Sequence, residues 1–157
     1  MKRRMFLKKK IALFLKEEER KEIAGVINLL EQHTSGEVRV AVDIQRGWFE
    51  KRKTLRELAL KEFYRLKMHK TQDKTGVLLY IQLDEHAFEL IADEGIYTKI
   101  GQEQLNAIAS ELTSFFKQGK FKDGLKYVLN RIGELLATYF PRRSDDTNEL
   151  SNDVSFR

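Results

Sequence analysis

The 157-residue chain has no cysteine and a single proline, Pro141. The first absence removes thiol nucleophiles, disulfides and Cys-ligated zinc or iron–sulfur centres, and it fits a reducing compartment. The second means that no helix or strand before residue 141 can be ended by proline. Only three histidines occur, His33, His69 and His86, scattered without metal-ligand spacing. No stretch approaches the roughly 20 apolar residues of a membrane span, and there are no internal repeats or low-complexity linkers. What is present, 41% hydrophobic and 34% charged residues, describes one strongly charged globular domain with a core of its own.

The formal net charge of +5 is unevenly spread. Met1–Lys16 carries seven basic residues and no acid, which leaves 22 basic against 24 acidic residues for the rest. The body is therefore not basic, and no later segment combines basic residues with interleaved aromatics, so a nucleic-acid partner is not expected. The N-terminal segment has the charged start of a secretory signal, but its longest apolar run is Ile11–Leu15 and no small-residue cleavage site follows. Leu7, Ile11, Phe14 and Leu15 share one side of a helix. Two readings stay open for Met1–Leu15: peripheral contact with anionic lipid, or a lead-in whose apolar residues dock on the domain while the charges stay in water.

The pattern predicts a helix over Lys16–His33 with Ile23, Val26, Ile27 and Leu30 on one face, then a strand over Glu37–Ile44 in which valines alternate with polar residues. After a loop at Gln45–Lys53 holding the only tryptophan, Trp48, Thr54 and Glu57 form a capping box for a helix to about Met68. Val77–Leu83 and Ala87–Ala92 are apolar runs separated by a short polar break, a β-hairpin. A Gly95–Gly101 connection leads to helices at about Gln102–Lys117 and Asp123–Phe140, with Gly119 and Gly124 bracketing the turn. Strand, helix, strand makes a right-handed βαβ unit, so the first two strands are parallel and the third is reversed. The fold class is α/β: a three-layer α/β/α sandwich with a small mixed sheet and four helices. The domain spans residues 16–141, preceded by a basic segment at 1–15 and followed by a disordered tail at 142–157.

This topology creates two rival sites. One sheet end gathers Asp73, Thr75, Asp93, Glu94 and Glu37, hard oxygen donors suited to Ca²⁺, or alternatively Mg²⁺, rather than a soft metal. The other end holds Asp43, Trp48, Asp84, Glu85 and His86, at the carboxyl ends of the parallel strands where ligands of open α/β sheets usually bind.

The blocks TSGEVRVAV at Thr34–Val42, EFY at Glu62–Tyr64, TGVLLYI at Thr75–Ile81, FELIADEGI at Phe88–Ile96 and FKQGKFKDGL at Phe116–Leu125 together resemble the TPM domain family, also known as TPM phosphatases, over about Lys16–Pro141. The family's common signal peptide and membrane anchor have no counterpart here, so the chain resembles the short, soluble bacterial branch. The resemblance implies an α/β/α sandwich, a divalent-cation site, typically calcium, at Asp73 and Asp93 with Glu37 and Glu94 as neighbours, and an acid-phosphatase activity reported for plant relatives.

The residues themselves supply no phosphocysteine nucleophile, no Asp-x-Asp pair, no suitably spaced histidines and no dense two-metal ligand set. The expected role is a cytoplasmic binding or regulatory module with a divalent-cation site, working with a membrane-linked protein partner at the membrane's cytoplasmic face. The alternative is a weak metal-dependent phosphomonoesterase.

Overall fold

The computed structural model describes residues 1–143 and 153–157. In chain order it contains helices α1 (Lys2–Phe14) and α2 (Glu17–Glu31), strand β1 (Glu37–Asp43), helix α3 (Leu55–Arg65), strands β2 (Gly76–Gln82) and β3 (Ala87–Ala92), helices α4 (Glu94–Ile100), α5 (Gln102–Lys117) and α6 (Phe121–Tyr139), and strand β4 (Ser155–Phe156). The sheet order is β3-β2-β1-β4. β1 runs parallel to β2 over seven residue pairs, from Glu37↔Gly76 to Asp43↔Gln82, and β3 returns antiparallel to β2. The βαβ unit and the hairpin are as the apolar patterning predicts.

The alternation along β1 sends side chains to two cores. Val38, Val40 and Val42, with Val77, Leu79 and Ile81 of β2, pack against α2, α4, α5 and α6 through residues such as Ile27, Ile96, Leu112 and Leu129. Ala41, Leu78 and Tyr80 face the other way, onto Leu58, Ala59 and Phe63 of α3 and onto Met68. The result is a lopsided three-layer sandwich, with α3 alone on one face. Thr54 caps α3 as expected: its hydroxyl accepts from Glu57 N at 3.1 Å, and Glu57 accepts from Thr54 N at 2.9 Å.

Several expectations are corrected. The segment expected as a bare Gly95–Gly101 connection contains the helix α4, nucleated by Asp93, whose Oδ1 accepts from Glu94 N at 2.8 Å, and anchored by buried Ile96 and Ile100. Gly95 reads as a helix breaker in sequence, yet it is required here because a Cβ would run into the Asp73 and Lys74 carbonyls, the latter at 2.6 Å. Gly119, at φ +72°, makes the turn before α6, but Gly124 lies inside α6, where a Cβ would stand 2.6 Å from Phe115 Cβ. The glycine thus sets how closely α5 and α6 cross.

Among the described residues there are six α-helices rather than four, since α1 also forms. Of the tail expected over 142–157, residues 144–152 lie outside the described set, while Ser155–Phe156 return as β4, parallel to β1. Two paired residues are too few to show periodicity in sequence, whereas an open strand edge offers backbone groups that seek partners.

Candidate functional site

The fold brings most of the hairpin-end residues to one place, but each is engaged locally. Asp73 Oδ2 accepts from the Arg143 guanidinium at 2.7 Å. Asp93 caps α4, with its Oδ2 buried and lacking a hydrogen-bond partner among the described residues. Asp73 and Glu94 line a cleft of about 350 Å³, together with Lys74, Lys99 and Phe140. Glu37 lies at the same sheet end, its amide bonded to Thr75 O at 3.0 Å, but its carboxyl is buried and hydrogen-bonded to Glu31.

Hard oxygens suit Ca²⁺ or Mg²⁺, yet among the described residues no three His, Cys, Asp or Glu side chains converge to hold an ion. The carboxylates nearest this end are those of Asp73, which Arg143 already engages, Asp93, which caps α4, and Glu94. They do not make a closed metal centre.

The rival end is tied up by ion pairs. Arg46 forks onto Glu85 at 2.6 and 3.0 Å, Lys10 pairs with Asp84, and Lys61 holds Glu50 at 2.9 Å. The Lys61 bond pulls Glu50 below the usual carboxylate range. Trp48 and Phe49 are exposed, on a short turn. Nearby, a groove of about 890 Å³ runs between β3, α5 and the end of α1, floored by Phe14, Phe88, Leu90 and Phe116. Its rim carries the Lys10–Asp84 and Arg56–Glu89 pairs.

Two further buried acids stand beside the predicted ends, Glu31 against Glu37 and Glu62 linked to Asp43 through Arg157. Glu31, at the end of α2, accepts from Val38 N at 2.8 Å and is only 4% exposed. Burial first, then the hydrogen bond and charge of Glu37, push it up to about 9. Glu62 of α3, also buried, takes Arg65 Nε at 2.6 Å and Arg157 Nη1 at 3.0 Å. Beside it, Asp43 accepts from the Tyr80 hydroxyl at 2.5 Å and lies 3.9 Å from Arg157 Nε. Burial raises Asp43, against the pull of Tyr80 and Arg157. Both glutamates carried a sequence signal: each falls on the apolar stripe of its helix, four residues after Ile27 and Leu58 respectively. A charge on a buried stripe has to be paired or neutralised.

α1 stands apart. Phe14 and Leu15 are buried in the core, and Leu7 and Ile11 are half-buried, which is the face expected to dock. Met5, Phe6 and Leu13 remain exposed among Lys2, Arg3, Arg4, Lys8 and Lys9. Among the described residues no helix is long and apolar enough to cross a membrane.

A family model of the TPM domain matches residues 10–135. Among curated proteins nothing matches. Among solved structures, the BA42 protein from the psychrophilic bacterium Bizionia argentinensis sp. nov. is 33% identical, with a TM-score of 0.82 over 92% of this chain and 96% of that one. The N-terminal domain of a protein from P. gingivalis is 17% identical, with a TM-score of 0.65 over 81% and 79%, a likeness of fold. Sequence blocks, sheet order and helix placement agree with the family match: the chain belongs to the TPM domain family.

Proposed function

We propose that this chain is a binding module that works at an anionic, membrane-linked surface through α1, with weak Ca²⁺ association at Asp73, Asp93 and Glu94 as a modulator. The observation that carries the reading is α1 itself, in which six basic residues and the exposed Met5, Phe6 and Leu13 project from a body that is slightly acidic. Met5, Phe6 and Leu13, exposed together on one basic helix, offer apolar contacts beside the cations that an anionic surface would attract. The carboxylates support the same reading, because Asp73, Asp93, Asp43, Glu62 and Glu85 are each engaged in an ion pair, a cap or a hydrogen bond within the fold.

The test is sedimentation of the full chain with vesicles containing phosphatidylserine, compared with a Phe6→Glu/Leu13→Glu variant. The wild type is expected to partition at low salt and to be released at high salt, since screening weakens the cationic attraction, and the variant should stay in solution under both conditions. Equal sedimentation of the two proteins would remove α1 from the account.

A further inference from the structure

We propose that the edge of β1, between α2 and α3, is a peptide-binding groove for an extended partner segment carrying an aromatic residue followed by arginine, and that residues 153–157 occupy it in cis. The seated segment shows what the groove recognises. Its backbone extends the sheet, with Arg157 N donating to Val42 O at 3.0 Å and Ile44 N donating to Arg157 O at 3.2 Å. Its side chains alternate as a strand requires: Val154 and Phe156 pack on the main core, with the Arg20 guanidinium 5.2 Å from the Phe156 ring centre, while Arg157 turns to the α3 face.

There the guanidinium enters a ready-made acidic pocket. It bonds Glu62, whose side chain is 2% exposed, and approaches Asp43, whose side chain is 10% exposed and already held by Tyr80. Glu62 is already bonded by Arg65 through Oε1, and its Oε2 accepts a second cation; arginine's fork, reaching Glu62 and Asp43 together, suits this pair of acids better than a lysine point charge. Backbone pairing supplies affinity and the two side-chain pockets supply selectivity, which is how strand addition recognises peptides.

The cis contact is small enough to be displaced. Among the described residues β4 pairs with β1 at two positions, Ala41↔Ser155 and Val42↔Phe156, whereas β2 pairs with it at seven. A longer partner strand can therefore cover more of the same edge than the resident one does.

The experiment uses the full chain and a full-chain Phe156→Ala/Arg157→Ala variant, titrated with a fluorescein-labelled, amidated peptide of sequence Asp-Val-Ser-Phe-Arg. Emptying the groove should tighten peptide binding about tenfold or more, because the wild type must first release its own strand. Amide shifts should fall on Ala41–Ile44, and a peptide with Glu in place of Arg should not bind. Adding Glu62→Gln to the variant should weaken binding about tenfold through loss of the charged partner. Failure of the peptide to bind the variant, equal binding by the Glu peptide, or shifts away from β1 would overturn the proposal. So would a wild-type dimer that the peptide cannot dissociate, which would make the occupant a second copy. If the double variant does not fold, Arg157→Ala, which keeps Phe156 in the core, is judged by the same outcomes.

Discussion

Replacing Glu31 by Gln should stabilise the protein, and should do so more as the pH rises. In the fold this carboxyl is buried against Glu37 and keeps its proton up to about pH 9, whereas the unfolded chain releases it near the ordinary value of 4.5. Between those limits the folded state binds a proton that the unfolded state lacks, so stability is full at low pH and falls as pH rises. For one proton the limiting slope is about 1.4 kcal/mol per pH unit, and side-chain relaxation and water entry reduce it. Between about pH 5 and pH 8 the wild type should lose about 2 kcal/mol that the variant keeps.

Glutamine imitates the protonated acid: its carbonyl can still accept from Val38 N, now 2.8 Å from Oε2, and its amide can donate to Glu37. Urea unfolding of both proteins at the two pH values measures the effect. Parallel pH profiles for wild type and Glu31→Gln would refute the reasoning, and so would a variant less stable at the higher pH.

Two further outcomes follow from the hairpin end. Titration with Ca²⁺ should move the amides of Asp73, Asp93, Glu94 and Gly95 with a midpoint on the order of 10⁻⁴–10⁻³ M, the range of weak modules with few charged ligands; a response that survives Asp73→Asn/Asp93→Asn, or one centred on Asp43 and Asp84–His86, would place the ion elsewhere. Gly95→Ala should destabilise by about 2 kcal/mol, because the methyl would meet the Lys74 carbonyl at 2.6 Å and overpacking outweighs the gain of up to about 1 kcal/mol in helix propensity; a thermal melt showing no loss would mean that the loop before β2 shifts freely.

The elements with strong periodicity were legible from sequence. β1 announced itself by Val38, Val40 and Val42 at period two, α3 by its Thr54–Glu57 box, and α5 and α6 by long apolar stripes that end in the core. The βαβ rule then placed Glu37, Asp73 and Asp93 at one sheet end, as found. What sequence could not supply was side-chain engagement. Asp73 meets Arg143 from 70 positions away, and Glu62 meets Arg157 from 95 away, contacts that no local spacing encodes.

Gly95 misled because glycine signals both a break and a close approach, and here the approach of two carbonyls decides. β4 was missed for a related reason, since what defines it is the open edge of β1 rather than anything in Ser155–Phe156. The carboxylates that looked available in sequence are, in the fold, largely engaged within it.

Phosphate release is the most direct test of the binding-module proposal against hydrolysis. The purified full chain is incubated with a generic phosphomonoester in the presence of Ca²⁺, Mg²⁺ or Mn²⁺, alongside Asp93→Asn. If Asp93 serves to cap α4, through its 2.8 Å bond to Glu94 N, and no nucleophile is activated beside it, both proteins should release phosphate at the same negligible rate. A robust metal-dependent rate in the wild type that disappears in a folded Asp93→Asn protein would contradict the account.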